Sequence, residues 1–315
     1  MNNNYEKAIK NRYEFVILYD VENGNPNGDP DAGNLPRLDP ETGHGIVTDV
    51  CIKRKIRNYI LTRCEDKLAD GFDIYVRQNA VLNKQDTHGT DAVERVGGKD
   101  KAENSLLFRE AMCQKFYDIR AFGAVMTTAT KKDVQLYNSA GQVRGPVQLA
   151  FGQSVEPVVP REITITRMAV ANEKEADKVE SEAKSGNSGS GATMGRKAII
   201  PYGLYRQEGY ISANLARTVT GFSEDDLEIF WDALINMFED DRSAARGKMA
   251  VRELIVFKHD CPLGNAPAHK LFSRVKVTRK ESAVVPRDYS DFVVSISKDC
   301  LPDGVEIIRK YRDDE

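Results

Sequence analysis

No stretch of this sequence is apolar for long enough to cross a membrane as a helix. The longest uninterrupted run is Phe15 to Tyr19, where roughly 20 residues are needed. The opening Met-Asn-Asn-Asn-Tyr-Glu-Lys has no hydrophobic segment of the signal-peptide kind, so a cytoplasmic chain is expected. Cysteine is sparse. Its five positions (51, 64, 113, 261, 300) never form a Cys-x-x-Cys pair, which favours free thiols over a disulfide framework or a zinc ribbon. There is no P-loop, no Gly-x-Gly-x-x-Gly after the first apolar run, no His-Glu-x-x-His and no Gly-x-Ser-x-Gly. The four histidines (44, 88, 259, 269) are scattered, and His259 with Cys261 has no further ligand nearby. Asn23-x-Asn25-x-Asn27-Gly28 resembles half of a calcium loop, but its twelfth position is Asn34, not Glu. Neither a metal nor a cofactor is expected.

Enough apolar material is present for a sizeable core: 41% of the 315 residues are hydrophobic and 30% charged. The length suits one large domain or two ordinary ones. Net charge is −3, from 45 basic and 48 acidic residues, so any affinity for a polyanion has to come from local clustering.

Phe15 to Tyr19 reads as a buried central strand. A turn-rich stretch follows, with 14 of the 20 positions from Val21 to Pro40 being Asn, Gly, Asp or Pro. The periodicity of Ile52, Ile56, Tyr59 and Ile60 predicts a helix over about 48–63. Its other side carries Lys53, Arg54, Lys55, Arg57 and Arg63, with no acid between Val50 and Cys64. Such one-signed charge after an Asn/Gly-rich loop is a candidate phosphate site. Thr48 is a helix cap or a phosphate ligand, the cap being the simpler reading.

Residues 72–76 read as a second strand, 83–101 as a polar excursion or small lobe, 102–117 as a helix and 119–128 as a strand. Short strands are expected at 147–151 and 163–168, and further strands at 254–257 and 292–296. A strong amphipathic helix spans 223–238, where Ser223 with Asp226 resembles a capping box. Residues 173–191 are charged, then Ser/Gly-rich, and cannot bury a core. Strand-like arms at 163–168 and 194–200 flank them, so a protruding hairpin with a mobile far end is expected. The order of elements predicts an α+β antiparallel-sheet fold, not a parallel doubly wound one.

Arg120-Ala121-Phe122-Gly123-Ala124-Val125 resembles part of the RNA-recognition-motif strand signature, with Ala124 in place of the central aromatic. Arg167, Arg196 and Lys197 add charge to the hairpin arms. Met168 and Met194 lie there too; packing is their plainer role, and wedging between bases the functional one.

Several stretches, in order, are similar to the crRNA-binding backbone subunit of the type I-C CRISPR Cascade complex, in the RAMP superfamily. They are Asp20 to Pro30, Asp118 to Gly123, Gly145 to Gln148 with Gly152 to Ser154, Thr193 to Lys197, Pro201 to Tyr205, and Phe257 to Asp260 running into Leu263 to Ala266. The resemblance covers about residues 12 to 280. It implies an RRM-like (ferredoxin-like) palm made of 12–76, 118–162 and 204–315. A fingers insertion would occupy 77–117 and a β-hairpin thumb 163–203.

The same resemblance implies a non-catalytic subunit that polymerises as copies of itself along a crRNA. It would grip the sugar-phosphate backbone and display guide bases for pairing with target DNA. Each thumb would displace one base at regular intervals. Implied partners are a crRNA-processing 5′-end subunit, a large subunit, a small subunit and a recruited helicase-nuclease, with no membrane. Lys53 and Arg57 sit where the family places phosphate contacts, with Arg54 beside them on the helix and Thr48 at its start. Arg37, Arg120, Arg167, Arg196 and Lys197 are further backbone candidates. Gln148 and Ser154 would offer uncharged hydrogen bonds, and Met168 and Met194 the wedge. Two alternatives stand: a metal-dependent RAMP-type endoribonuclease using Asp20, Asp29 or Asp31, and a generic single-strand-binding protein.

Overall fold

The computed structural model describes residues 5–126, 141–167 and 193–313, with residues 169, 173, 174 and 176 between them. The central strand β1, Tyr13–Gly24, is longer than the apolar run alone suggested, and nine successive residues from Tyr13 are buried. Because side chains alternate, Phe15, Ile17 and Tyr19 enter one core while Val16 and Leu18 enter another on the opposite face. A strand buried on both sides reads as a continuous apolar run, which is why it was legible.

β1 is paired antiparallel along both edges. On one side runs β10, Thr193–Ile211, from Tyr13↔Ile211 to Gly24↔Ile200. On the other lies β11, Lys248–His259, followed by β14, Val305–Arg312. β10 also pairs with β7, Val147–Leu149, and with β8, Gly152–Pro157, and β8 pairs with β4, His44–Val47. The sheet order is therefore β14-β11-β1-β10-β8-β4, and every pairing is antiparallel. This is a mixed α+β fold with one large antiparallel sheet.

Two helices cover one face. α1, Asp49–Arg63, buries Ile52, Ile56 and Ile60. α5, Glu224–Asn236, buries Leu227, Phe230, Trp231 and Leu234, and Trp231 meets Phe15 edge-on at 5.3 Å. Each such side chain, fully buried, contributes about 1.5–3 kcal/mol. The expected capping box starts α5: Asp226 N–H donates to Ser223 Oγ, and Ser223 N–H to Asp226 Oδ2 at 2.8 Å. The other face is covered by a ribbon of β12, Val275–Arg279, and β13, Phe292–Ile296.

Three sequence readings are corrected. Residues 72–76 form no strand: Asp118 Oδ1 and Oδ2 accept from the N–H groups of Tyr75 and Val76 at 2.7 and 3.0 Å, where a strand partner would sit. The polar excursion at 83–101 is mostly a helix, α2, Leu82–Val96, packed on α3, Lys101–Lys115. Its buried positions are Asp86, Gly89 and Val93, and a Cβ on Gly89 would sit 2.5 Å from the Phe108 ring. The strand expected from Ile119 begins only at Gly123. Tyr117–Phe122 is a short helix, α4, ended by Gly123 at φ +79°, a left-handed value that favours glycine. β5, Gly123–Met126, then pairs with β6, Gly141–Arg144.

One hairpin arm is described on both strands. β9, Arg161–Arg167, pairs with the first part of β10, from Ile199↔Arg161 to Thr193↔Arg167. Met168, most of the segment expected to be the mobile far end, and residues 127–128 of the expected strand lie outside the described residues. Among the described residues no helix is long and apolar enough to cross a membrane.

Candidate nucleic-acid interface

The Asn-rich segment after β1 is held in shape by its own amides. Asn23 and Asn34 adopt φ of +52° and +63°, which Asn tolerates better than most residues. Asn25 donates from Nδ2 to the Asn34 carbonyl at 2.8 Å, and its N–H to the Ala245 carbonyl at 2.8 Å. Asn27 Oδ1 accepts both the N–H and the hydroxyl of Thr48 at 2.9 Å. Thr48 stands at the N-cap of α1, but its side chain caps nothing; it ties the helix start to the loop. The loop before β11 closes the far wall. A Cβ on Gly24 would lie 1.7 Å from the Arg246 carbonyl oxygen, so only glycine allows that approach.

Between these walls and α1 runs a cleft of about 970 Å³. Six cationic side chains line it, Arg37, Arg54, Lys55, Arg57, Arg77 and Arg246, and among the described residues no carboxylate does. The matching acids stand behind them. Asp118 holds Arg57 Nε at 2.8 Å, Asp73 holds Arg77 at 3.2 Å, and Asp29 holds Arg37 at 3.3 Å. Asp241 binds both Lys55 and Arg246. This layering aims the cations and leaves the cleft face basic. Burial lowers the Lys55 pKa, an effect that its bond to Asp241 opposes. Arg54 is exposed and, among the described residues, bonds only the Gln78 amide oxygen, at 3.4 Å. The amides Asn25, Asn27, Asn34, Asn58 and Gln78 complete the polar lining. The arrangement suits a chain of phosphates, which needs donors and positive charge.

The cleft brings together Arg37, Thr48, Arg54 and Arg57 from the sequence-predicted set. Lys53 is not on it: although no acid lies between Val50 and Cys64, Asp49 just outside that span is four residues away, and Lys53 Nζ bonds it at 2.9 Å. Arg120 is corrected outright. Its guanidinium is buried in α4, donating to both Asp226 oxygens (2.9 and 2.7 Å) and to the carbonyls of Cys113 (2.7 Å) and Gly71 (3.0 Å). Ser154 is buried too, accepting from Gly45 N–H at 2.8 Å and donating to the Glu156 carbonyl at 2.6 Å, so its hydroxyl faces no ligand. Gln148 is exposed, its Nε2 donating to the Gly145 carbonyl at 3.1 Å.

Arg196 is exposed on the arm, 3.9 Å from Glu162, while Lys197 reaches the Ala244 carbonyl beside the cleft. Arg167 and Met194 lie on the paired strands β9 and β10; their side chains lie outside what is described. Sequence reasoning missed Arg77, Gln78 and Arg246. The first two follow a segment misread as a strand, and Arg246 comes from a loop with no local signal.

Two of the three candidate catalytic acids, Asp20 and Asp29, are engaged in the fold through their carboxylates, while Asp31 is exposed. Asp20 is buried between Arg252 Nε at 3.0 Å and the Tyr202 hydroxyl at 3.1 Å, and burial raises its pKa despite both partners. Asp29 pairs with Arg37 and accepts from Asp31 N–H at 3.2 Å. His259 is buried: Nδ1 accepts from Asn265 N–H at 2.8 Å, so Nε2 carries the proton toward Glu14, 2.5 Å away. No group of three or more metal-ligating side chains occurs among the described residues.

Similarity to known proteins agrees with the ordered motifs. A protein of Haloferax volcanii described as CRISPR-associated protein Cas7 is 28% identical over 303 residues, covering 91% of this chain and 81% of its own length. Among solved structures, a chain of a CRISPR RNA-guided surveillance complex in a pre-nicking state superposes with a TM-score of 0.45 at 11% identity, over 78% of each chain. A chain of another CRISPR RNA-guided surveillance complex gives 0.41 at 12% identity, over 80% of this chain and 73% of that one. The family model for CRISPR-associated protein Cas7 matches residues 11–297, and the chain belongs to that family.

Proposed function

We propose that this chain is a non-catalytic backbone subunit of a type I-C CRISPR surveillance complex, holding a crRNA by its sugar-phosphate backbone. The observation that carries the reading is the cleft along α1, lined by six cations and, among the described residues, no carboxylate. A guide holder must grip whatever sequence it is given, and phosphate contacts do that while leaving base edges free for target DNA. The RRM-like palm is supported by the strand order: β1 lies between β10 and β11, β8 flanks β10, and α1 falls between β1 and β10 in the chain as α5 does between β10 and β11. The fingers reading of 77–117 is supported by α2 and α3 sharing a separate small core with Tyr75 and Phe116. The thumb reading of 163–203 is supported by the β9–β10 arm. The non-catalytic reading is supported by the engagement of Asp20 and Asp29 within the fold. In this reading copies polymerise along the guide in the cytoplasm. They work beside a 5′-end processing subunit, large and small subunits and a recruited helicase-nuclease.

Native mass spectrometry of the purified chain with single-stranded RNAs of increasing length tests it. Copy number should rise in steps at a fixed nucleotide interval. One copy at every length, or none, refutes the polymerising guide holder.

A further inference from the structure

Phe151 is the only exposed phenylalanine among the described residues, 61% exposed on the turn between β7 and β8. Its neighbours alternate: Gln148, Phe151 and Gln153 are exposed, while Leu149, Gly152 and Ser154 are buried. Gly152 faces the Tyr19 hydroxyl on the helix-covered side, so Phe151 projects to the opposite side of the sheet. There it walls a hollow of about 370 Å³ with Val155, Val277, Gln153, Arg206 and Glu208.

The chemistry of this hollow differs from that of the cleft. Arg206 is already occupied by Glu208 at 2.8 Å and by the carbonyls of Val275 (2.6 Å) and Phe272 (2.8 Å). It therefore offers little to a phosphate. What remains is the Phe151 ring, Ala150 and two valines, with the Gln153 amide and the Glu208 carboxylate at its polar edge. Such a surface fits a flat, neutral ring bearing N–H donors. The β4–β8 register sets where that ring comes from. Val47 pairs with Gly152, so the next residues outward are Thr48, on the cleft wall, and Phe151. One strand pair separates the phosphate cleft from the aromatic.

We propose that Phe151 is a stacking platform for one nucleobase of the single-stranded RNA whose backbone occupies the basic cleft, an inference that rests on the RNA-holding function above. Stacking on an aromatic face accepts any base, as a variable guide requires.

The test uses the purified chain, an RNA short enough to bind one copy, and the variants Phe151→Leu and Phe151→Trp. Leucine keeps the apolar bulk and loses the ring. F151L should weaken binding about tenfold, and F151W should bind like the wild type. A 2-aminopurine moved along the RNA should be quenched at one position by the wild type and not by F151L. On a base-free ribose-phosphate oligomer the two should bind equally. The proposal is overturned if F151L binds RNA as the wild type does, or if its loss persists on the base-free oligomer. A change in self-association of the RNA-free F151L chain also overturns it, because Phe151 would then be a protein contact. A wild-type chain that binds no RNA refutes the parent reading itself.

Discussion

Arg120 separates two accounts of the same residue, and Arg120→Met decides between them. Read from its local sequence, Arg120 is a strand arginine facing RNA. In the fold it is a buried bolt, joining α4 to the start of α5 through both oxygens of Asp226 and to three backbone carbonyls, those of Cys113, Gln114 and Gly71. Methionine keeps much of the apolar stem and removes the charge. Asp226 would then be a buried carboxylate without its cation, and the Gly71 carbonyl would lose its arginine donor. Breaking a buried pair in this way costs about 3–5 kcal/mol. Asp226 still accepts from Ser223 N–H, which places the loss near the lower end, about 3 kcal/mol. That is a large share of a total stability of about 5–15 kcal/mol. For a chain somewhat larger than 150–250 residues it corresponds to a fall in Tm of about 6–12 °C or slightly less. Urea and thermal melts measure the loss. Well below the Tm, RNA affinity and its salt dependence should match the wild type. A variant that melts normally yet loses RNA binding would refute the buried-bolt account and restore the surface one.

Three further outcomes are expected. Arg54→Gln removes the cleft cation that has no carboxylate partner among the described residues, so the slope of log affinity against log salt should shrink by about 0.7 for single-stranded RNA; an unchanged slope takes Arg54 off the phosphate path. Burial pushes the Cys113 thiol up to about 12, whereas Cys300 is exposed, so iodoacetamide at neutral pH should label Cys300 first and Cys113 only on unfolding. Mass spectrometry of the modified peptides checks the order, and early labelling of Cys113 contradicts its burial. Burial raises the Asp20 carboxyl, so the folded state holds this proton more tightly than the unfolded one. Its contribution to stability is therefore full below the unfolded pKa of about 4 and is lost as pH rises through the folded value. Asp20→Asn should flatten that descending limb in stability measured against pH, and a steeper limb would show the opposite shift.

Legibility followed the range of the interactions involved. β1, α1 and α5 were readable because their apolar periodicity is local, and the α5 capping box lies within four residues. α2 was not, because the stripe it buries is Asp86, Gly89 and Val93, of which only one is hydrophobic. Its glycine is buried because a ring from α3 presses on it, a contact no window of sequence reveals. The fate of Arg120 hangs on Asp226, 106 residues away. The partner of Lys53 was within reach of reading, since Asp49 sits just outside the acid-free span that made the helix look uniformly basic. Four of the cleft's six cations, Arg37, Arg54, Lys55 and Arg57, stand in the loop and basic helix that the sequence picked out; Arg77 and Arg246 converge from the turn after residue 75 and from the loop before β11.

β10 is a single strand of 19 residues, paired with β9 over its first part and with β1 over the rest. At about 3.3 Å per residue it spans about 60 Å. The exchange of partners happens between neighbours, with Ile199 opposite Arg161 and Ile200 opposite Gly24. Mechanically this is a cantilever whose root is the middle of the sheet. A load on the free length is carried as shear along the β1–β10 ladder, where the hydrogen bonds resist together instead of peeling one by one. The paired length of the arm, from Ile199 opposite Arg161 to Thr193 opposite Arg167, is thus written into the chain. In a row of such molecules, spacing would be measured by protein, as by a ruler, rather than by whatever the row is built upon.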